Sequence, residues 1–288
     1  MSSQAAIEAE FTSLDHGLDR EMTVYLMGGG AMTFRGLKNA TRDLDLLVTS
    51  RADFDVLRNL LHDRGYETVE NPVGEYKSLG AALMLDKDGE CRFDVFDRKV
   101  IRKLRISDRM QNRAEAVFDG SQLRVLSLSN EDIFLFKGVA GRPRDTDDMA
   151  QLVETGQGLQ FDGIEDEFQA QLPMNTGRIE YELLTGTPEN HPVIAFERAL
   201  LSLPMTLPNG FTDRIEQEAD RVYAEFEVMN ELGDGTTMSE LTALLSGRST
   251  VDLDSRSDVE AIVDSLGEKG LIVRDGDTIS SRTFEPEL

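Results

Sequence analysis

The chain reads as an α/β protein, on three observations: short apolar strands alternate with amphipathic helices up to about residue 130, a glycine run follows the first strand, and the remainder turns largely helical. Ala5 to Leu18 has the spacing of an amphipathic helix. Thr23 to Met27 is a short buried strand that ends on glycines, and Ala31 to Arg35 can open a helix. Leu44 to Val48 forms a second strand. From Asp53 to Arg64, apolar residues recur at intervals of three and four (Phe54, Leu57, Leu60, Leu61) before Gly65 stops the helix. Ala81 to Leu85 and Cys91 to Phe96 flank the turn Asp86-Lys87-Asp88-Gly89 and read as a hairpin. Leu123 to Leu128 adds a strand.

After Asn130 the periodicity is that of helices: Asp132 to Val139, Asp145 to Leu152, Gly163 to Leu172, Val193 to Leu201 and Asp213 to Leu232. Ser239 to Leu245 and Asp258 to Lys269 follow as two further helices. Leu271 to Arg274 and Asp277 to Ser280 then close the chain as a hairpin around Asp275-Gly276. Helix, helix and small hairpin make the C-terminal stretch winged-helix-like.

Composition narrows the classes. The 288 residues are 40% apolar, enough for two domains or a core with a large appendage. No apolar run reaches membrane-spanning length, and Met1-Ser2-Ser3-Gln4 does not start a signal segment, so a cytoplasmic location is expected. The single Cys91 excludes an intrachain disulfide and a cysteine zinc site, and reads as a small core residue. The three histidines, His16, His62 and His191, are dispersed and read as ordinary surface or helix residues.

Net charge is -24, from 30 basic and 54 acidic residues, and only 7 of the basic residues are lysine. Such acidity keeps a protein soluble in strong salt and points to a halophilic cytoplasm rather than a nucleic-acid mimic. It is uneven. Residues 1–130 carry 18 basic and 21 acidic side chains, residues 131–288 carry 12 and 33, so the first half tolerates anionic ligands far better.

The chemistry concentrates in Met27-Gly28-Gly29-Gly30 and Thr41-Arg42-Asp43-Leu44-Asp45-Leu46. Side chains alternate along a strand, so Asp43 and Asp45 share one face while Leu44 and Leu46 enter the core. Two like charges held side by side repel unless a cation intervenes, and hard divalent ions prefer oxygen donors. Glycines upstream let a backbone approach a bulky anion. Asp94, within the apolar strand around Phe93 and Val95, is a third charge in need of a partner, and a shared metal supplies one. Asp97 lies nearer the strand end and reads as solvated. A dinucleotide fingerprint would need glycine where Thr33 stands, and a P-loop would need Gly-Lys-Ser/Thr.

A glycine pair, then Asp-x-Asp, then a third strand aspartate resembles the nucleotidyltransferase superfamily with the polymerase-beta-like fold. The wording around Gly28 to Met32, Gly36-Leu37-Lys38 and Thr41 to Asp45 is most similar to abortive-infection type IV toxin nucleotidyltransferases and related haloarchaeal proteins. Ser129 to Asp148 is similar to the later motifs of that toxin family, a helix lysine followed by Arg and an Asp-x-x-Asp step.

The resemblance spans about residues 20–155 and implies a mixed-sheet nucleotidyltransferase core, expected over 1–128; the helical periodicity then gives a helical extension over 129–205, and the helix, helix, hairpin pattern a winged-helix-like domain over 206–288. It implies that Asp43, Asp45 and Asp94 hold Mg²⁺ or Mn²⁺, and that Gly28, Gly29 and Gly30, with Thr41 and Arg42, receive a nucleoside triphosphate. Lys137 would neutralise charge near the triphosphate. Asp145 and Asp148 would either join the nucleotide site or serve as a helix N-cap or salt bridge to Arg142 or Arg144. The implied activity is transfer of a nucleotide to an RNA or protein acceptor, in a toxin with an antitoxin-like partner; the alternative is a non-catalytic regulator that keeps the fold to bind nucleotide or partner.

Arg98, Arg102, Arg105 and Arg109 fall at helical spacing within the chain's one basic cluster. They form either a docking face for an acceptor such as tRNA or for the incoming triphosphate, or a solvated helix face. Base-stacking aromatics are missing nearby, which argues against sequence readout. Residues 205–288 carry 19 acidic against 7 basic side chains, which argues against DNA binding and favours a packing or protein-interaction role.

Overall fold

The computed structural model describes residues 1–70, 81–100, 103–155, 158–174, 188, 191–233, 235–246, 253 and 255–282. The chain divides into two compact units, 1–174 with 203–205 and 175–202 with 206–288.

The first unit is built on a seven-stranded mixed sheet. In chain order its strands are β1 (Met22–Met27), β2 (Asp43–Val48), β3 (Glu67–Thr68), β4 (Leu83–Asp86), β5 (Arg92–Asp97), β8 (Glu115–Asp119) and β9 (Leu123–Ser127). They lie side by side as β3-β4-β5-β2-β1-β9-β8. The central pairs are β1 antiparallel to β2, β1 parallel to β9 and β2 parallel to β5. Leu26, Leu44, Leu46, Phe93, Val95 and Val125 are fully withdrawn from water, so the sheet's middle is apolar core. The expected mixed sheet flanked by helices is what forms.

Serine caps start several helices, each hydroxyl accepting from the amide three residues on. They are Ser3 for α1 (Gln4–Asp15), Ser50 for α3 (Arg51–Asp63), Ser107 for α4 (Asp108–Arg113) and Ser129 for α5 (Asn130–Ala140). Gly141, at φ 61°, ends α5 in the left-handed conformation, and Pro143 opens α6 (Pro143–Glu154) at once. The next helix, α7, is Phe161–Met174. Asp15, at the end of α1, accepts from the amides of Ser121, Gln122 and Leu123 (3.1, 2.7 and 2.7 Å) and from the Ser121 hydroxyl at 3.0 Å. This clamp ties α1 to the turn between β8 and β9, and a Cβ on Gly120 would lie 2.4 Å from the Asp15 carboxylate.

Three local expectations change. The helix after β1, α2 (Gly28–Phe34), begins on the glycines themselves rather than at Ala31. Glu115–Asp119 is an edge strand where none was expected; a bulge between Ala116 and Phe118 breaks the alternation that would have marked it. The stretch carrying Arg98, Arg105 and Arg109 is not one helix. Lys99–Val100 (β6) and Leu104–Arg105 (β7) pair as a tiny antiparallel ladder, and the helix starts only at Asp108. Val100, Leu104 and Ile106 bury their side chains in this stretch, and that burial overrides the four-residue spacing of the arginines. Arg102 lies outside the described residues.

The second unit contains α8 (Pro192–Leu201), α9 (Asn209–Glu231), β10 (Thr236–Thr237), α10 (Met238–Leu245), α11 (Arg256–Glu268), β11 (Ile272–Asp275) and β12 (Thr278–Ser281). The helix, helix, hairpin order matches the sequence expectation, with β10 added to make a three-stranded sheet ordered β10-β12-β11. Thr237 with Glu240 and Ser255 with Asp258 form reciprocal capping boxes on α10 and α11. His191 is not a surface residue. It is buried, its Nδ1 accepts from the Val193 amide at 3.3 Å to cap α8, and its ring meets Phe226 edge-on. Among the described residues no helix is long and apolar enough to cross a membrane.

Candidate active site

Strand pairing assembles the site. In the parallel β2–β5 ladder, Asp43 is the register partner of Arg92 and Asp45 the partner of Asp94. Register partners in adjacent strands point to the same face, so Asp43, Asp45, Arg92 and Asp94 all rise from one side of the sheet. Asp97 leaves the opposite side, where its Oδ1 accepts from Arg98 at 3.0 Å. On the other flank of β2, Asp45 faces Met27 across the antiparallel β1 pairing, so the glycine run begins beside the carboxylates.

Each of the three glycines is needed for a separate steric reason. Gly28 has φ +60° and a Cβ there would sit 2.2 Å from Asp45 Oδ2. A Cβ on Gly29 would lie 2.6 Å from the Thr41 hydroxyl, and one on Gly30 2.9 Å from the Leu26 side chain. No side chain caps the start of α2. Thr41 is buried and donates to the Asp43 carbonyl at 3.0 Å, which braces the entry to β2, while Arg42 is exposed.

The carboxylates are crowded. Asp94 is 1% exposed and takes a forked pair from Arg92, Nε to Oδ1 at 2.9 Å and Nη2 to Oδ2 at 2.8 Å. The same Nη2 reaches Asp43 Oδ2 at 3.0 Å. Asp43 Oδ1 is buried and takes no hydrogen bond from the described residues. Loss of solvation raises Asp94 despite Arg92 beside it. Withdrawal from water, followed by the Asp94 carboxylate, pushes Asp45 up to about 7. Among the described residues no three acidic, histidine or cysteine side chains are gathered so as to enclose a metal ion as they stand. The Arg92 guanidinium lies between Asp43 and Asp94, yet the donor set is all oxygen on one face, and the unsatisfied Asp43 Oδ1 suits a hard cation.

A second charged array forms the wall. Lys137 on α5 is buried and donates to Asp145 Oδ1 at 3.1 Å and Asp148 Oδ2 at 2.5 Å, both on α6. Arg142 Nε reaches Asp145 Oδ2 at 2.6 Å, and Lys38 reaches Asp148 Oδ1 at 2.5 Å. Charges thus alternate in a chain: Lys38, Asp148, Lys137, Asp145, Arg142. Burial works to raise Asp145, but Lys137 and Arg142 outweigh it and hold its carboxyl below the usual range. The salt bridge to Arg142 that the sequence offered as one reading of Asp145 is therefore formed. Lys137 and Arg142 also line a cleft with Gly28 and Asp45, whose apolar side is Phe96, Val100, Ile133 and Phe136.

The basic cluster is dispersed. Arg98, Arg105 and Arg109 are all exposed, and Arg109 donates to the Asp166 carbonyl at 3.1 Å and pairs with buried Glu167 at 3.3 Å, tying α4 to α7. The sequence reading assigned Arg92 no role. Its signal was present: two residues before Asp94 in the same strand, it must share that face.

No curated protein matches the chain. Residues 5–157 match the model of a family described as nucleotidyltransferases of unknown function (DUF6036). That match begins in α1, takes in the sheet, the glycine run and the three aspartates, and ends just beyond the Lys137–Asp145–Asp148 array. Spanning more than half of its length, it shows that the chain belongs to this nucleotidyltransferase family.

Proposed function

We propose that the protein is an active, metal-dependent transferase that moves a nucleotide from a nucleoside triphosphate to an RNA or protein acceptor. The observation that carries this reading is the same-face placement of Asp43, Asp45 and Asp94 beside Gly28, with one buried Asp43 oxygen left without a hydrogen bond. Those three carboxylates would hold Mg²⁺ or Mn²⁺. Such an ion, when bound, would supply Lewis-acid chemistry, offsetting negative charge on the phosphate oxygens.

The chain's own residues do the rest. Glycines at 28–30 keep Cβ atoms out of the space where a phosphate would approach the backbone. Lys137 and Arg142 bring positive charge to the cleft wall. Asp145, bonded to both, is a positioning residue that fixes where those two cations stand. The apolar side at Phe96, Val100 and Phe136 excludes water and suits a nucleoside. Arg98 and Arg105 are exposed, and such arginines suit a phosphate-rich acceptor such as tRNA.

The wider reading is of a toxin held by an antitoxin-like protein partner in a salt-adapted cytoplasm, and the acidic, winged-helix-like second unit suits a protein partner better than DNA. A second reading, a regulator that binds nucleotide or partner without catalysis, has one observation in its favour. Arg92 already neutralises Asp43 and Asp94. Incubation with each of the four α-labelled nucleoside triphosphates, Mg²⁺ and total RNA or protein, in high potassium chloride, decides between them. The enzyme transfers label to a discrete acceptor and releases pyrophosphate, and the Asp43→Ala/Asp45→Ala variant does neither. The regulator transfers no label.

A further inference from the structure

One side chain already engages the oxygens that the proposed ion would need. Arg92 Nη2 lies 2.8 Å from Asp94 Oδ2 and 3.0 Å from Asp43 Oδ2, and its Nε lies 2.9 Å from Asp94 Oδ1. The guanidinium thus engages three of the four oxygens these two aspartates offer, and the fourth, Asp43 Oδ1, is buried without a hydrogen bond. The arrangement is not an accident of a mobile surface side chain. Arg92 is 11% exposed at its side chain, lies in β5 and is the register partner of Asp43.

Charge explains why such a residue belongs there. Three carboxylates rising from one face of a sheet repel one another, and the strands that carry them must still pair when no ion is bound. A fixed guanidinium lets β2 and β5 close without a metal, since its fork matches a carboxylate edge and it cannot lose its proton at any ordinary pH. A divalent cation carries more charge in less space, but it needs the same lone pairs.

We infer that Arg92 is the resident counter-ion of the carboxylate cluster, and that it competes with the divalent cation for Asp43 and Asp94 and so sets the protein's metal affinity. This rests on the metal-dependent reading above. Binding of the ion breaks or displaces the two contacts of Arg92 Nη2, so affinity is weaker than three carboxylates alone would give. The device keeps the fold intact in the absence of metal and delays ion capture until something adds further ligands, as the oxygens of a triphosphate do.

The test is a titration of the full chain with Mn²⁺ alone, following free ion by electron paramagnetic resonance, for wild type, Arg92→Met and Arg92→Lys. Melting temperatures are recorded with and without Mn²⁺. The inference expects Arg92→Met to bind Mn²⁺ about tenfold more tightly than wild type. It also expects that variant to melt lower than wild type without the ion and to recover the difference with it. Arg92→Lys, which keeps a positive charge but loses the fork, falls between the two and carries the test if Arg92→Met does not fold. Wild-type binding with equal or weaker binding by both variants overturns the role of Arg92 and leaves the metal-dependent reading standing. Failure of every protein to bind Mn²⁺ overturns both.

Discussion

Asp45 and Asp94 are register partners across the parallel pairing of β2 and β5, so two carboxylates from strands nearly fifty residues apart in sequence leave the sheet side by side. Burial, followed by the Asp94 carboxylate, pushes Asp45 up to about 7. Replacing either with asparagine removes a charge while keeping its shape. Asp45→Asn and Asp94→Asn are each expected to lower pyrophosphate release by at least about a hundredfold, the scale of losing one charge-stabilising group at a reacting centre. Circular dichroism should remain unchanged. Release within a few-fold of wild type in both variants would remove the cluster from the reaction.

Gly28 and Gly36 separate backbone strain from site geometry. Both have positive φ, +60° and +71°, but a Cβ on Gly28 would press against Asp45 while one on Gly36 meets open space. Alanine at either position should cost about 1 kcal/mol of stability through strain. Only Gly28→Ala should also displace the Asp45 carboxylate and abolish triphosphate turnover. Denaturant melts and pyrophosphate assays on the two variants check this directly.

The Lys137 array makes a prediction about buried charge. Methionine at 137 would remove the cation shared by Asp145 and Asp148, which are 1% and 8% exposed, and leave each with a single partner, Arg142 and Lys38. Breaking such a pair costs about 3 kcal/mol or more. Lys137→Met should therefore show a large loss of stability in urea. Asp145→Asn, which keeps the shape and weakens the hold on Lys137 and Arg142, should raise KM for the triphosphate more than it lowers kcat. A change in kcat alone would mean that Asp145 acts on the chemistry rather than by placing the two cations.

Asp15 makes one contribution to acid stability. The backbone hydrogen bonds from Gln122 and Leu123 lead in holding its carboxyl near about 2 against an ordinary value of 3.8. A depressed folded-state value stabilises the fold above the unfolded value, and that contribution fades as pH falls through the folded one. Asp15→Asn should melt lower than wild type at pH 7, and the gap should close between about pH 4 and pH 2. A gap independent of pH would show that the clamp acts through shape alone.

Arg98 is the sole non-glycine with positive φ among the described residues, at 59°, and its exposed pairing with Asp97 contributes little. Glycine there should relieve strain and stabilise the fold by roughly 0.5 kcal/mol. If the side chain contacts the acceptor, Arg98→Gly should weaken acceptor binding at the same time, measured as a rise in its KM. A variant that is more stable with unchanged KM would remove Arg98 from the acceptor surface.

Much of the fold was legible because its signals are local. Apolar residues recurring at three and four, as at Phe54, Leu57, Leu60 and Leu61, mark a helix wherever the chain lies, and the expected helices at Asp53 and Asp132 begin within a few residues of where they form. The edge strand at Glu115–Asp119 was not legible, since its bulge breaks the two-residue period. Nor was the hairpin that replaces the expected arginine helix, because burial of Val100 and Leu104 against the rest of the unit outweighs spacing along the chain.

By itself, the sequence determined that Asp43 and Asp45 share a face, that glycines precede them, and that Asp94 sits in an apolar strand, because alternation and turn chemistry depend on neighbours in the chain. Only the tertiary structure decided that β5 lies parallel to β2 in the register that sets Asp94 beside Asp45, with Arg92 joining them and Asp97 turned away. It alone placed Lys137 between Asp145 and Asp148. Register and helix docking are chosen by the burial of whole apolar faces at long sequence separation, and a shift of one residue along β5 would send Asp94 to the other side of the sheet.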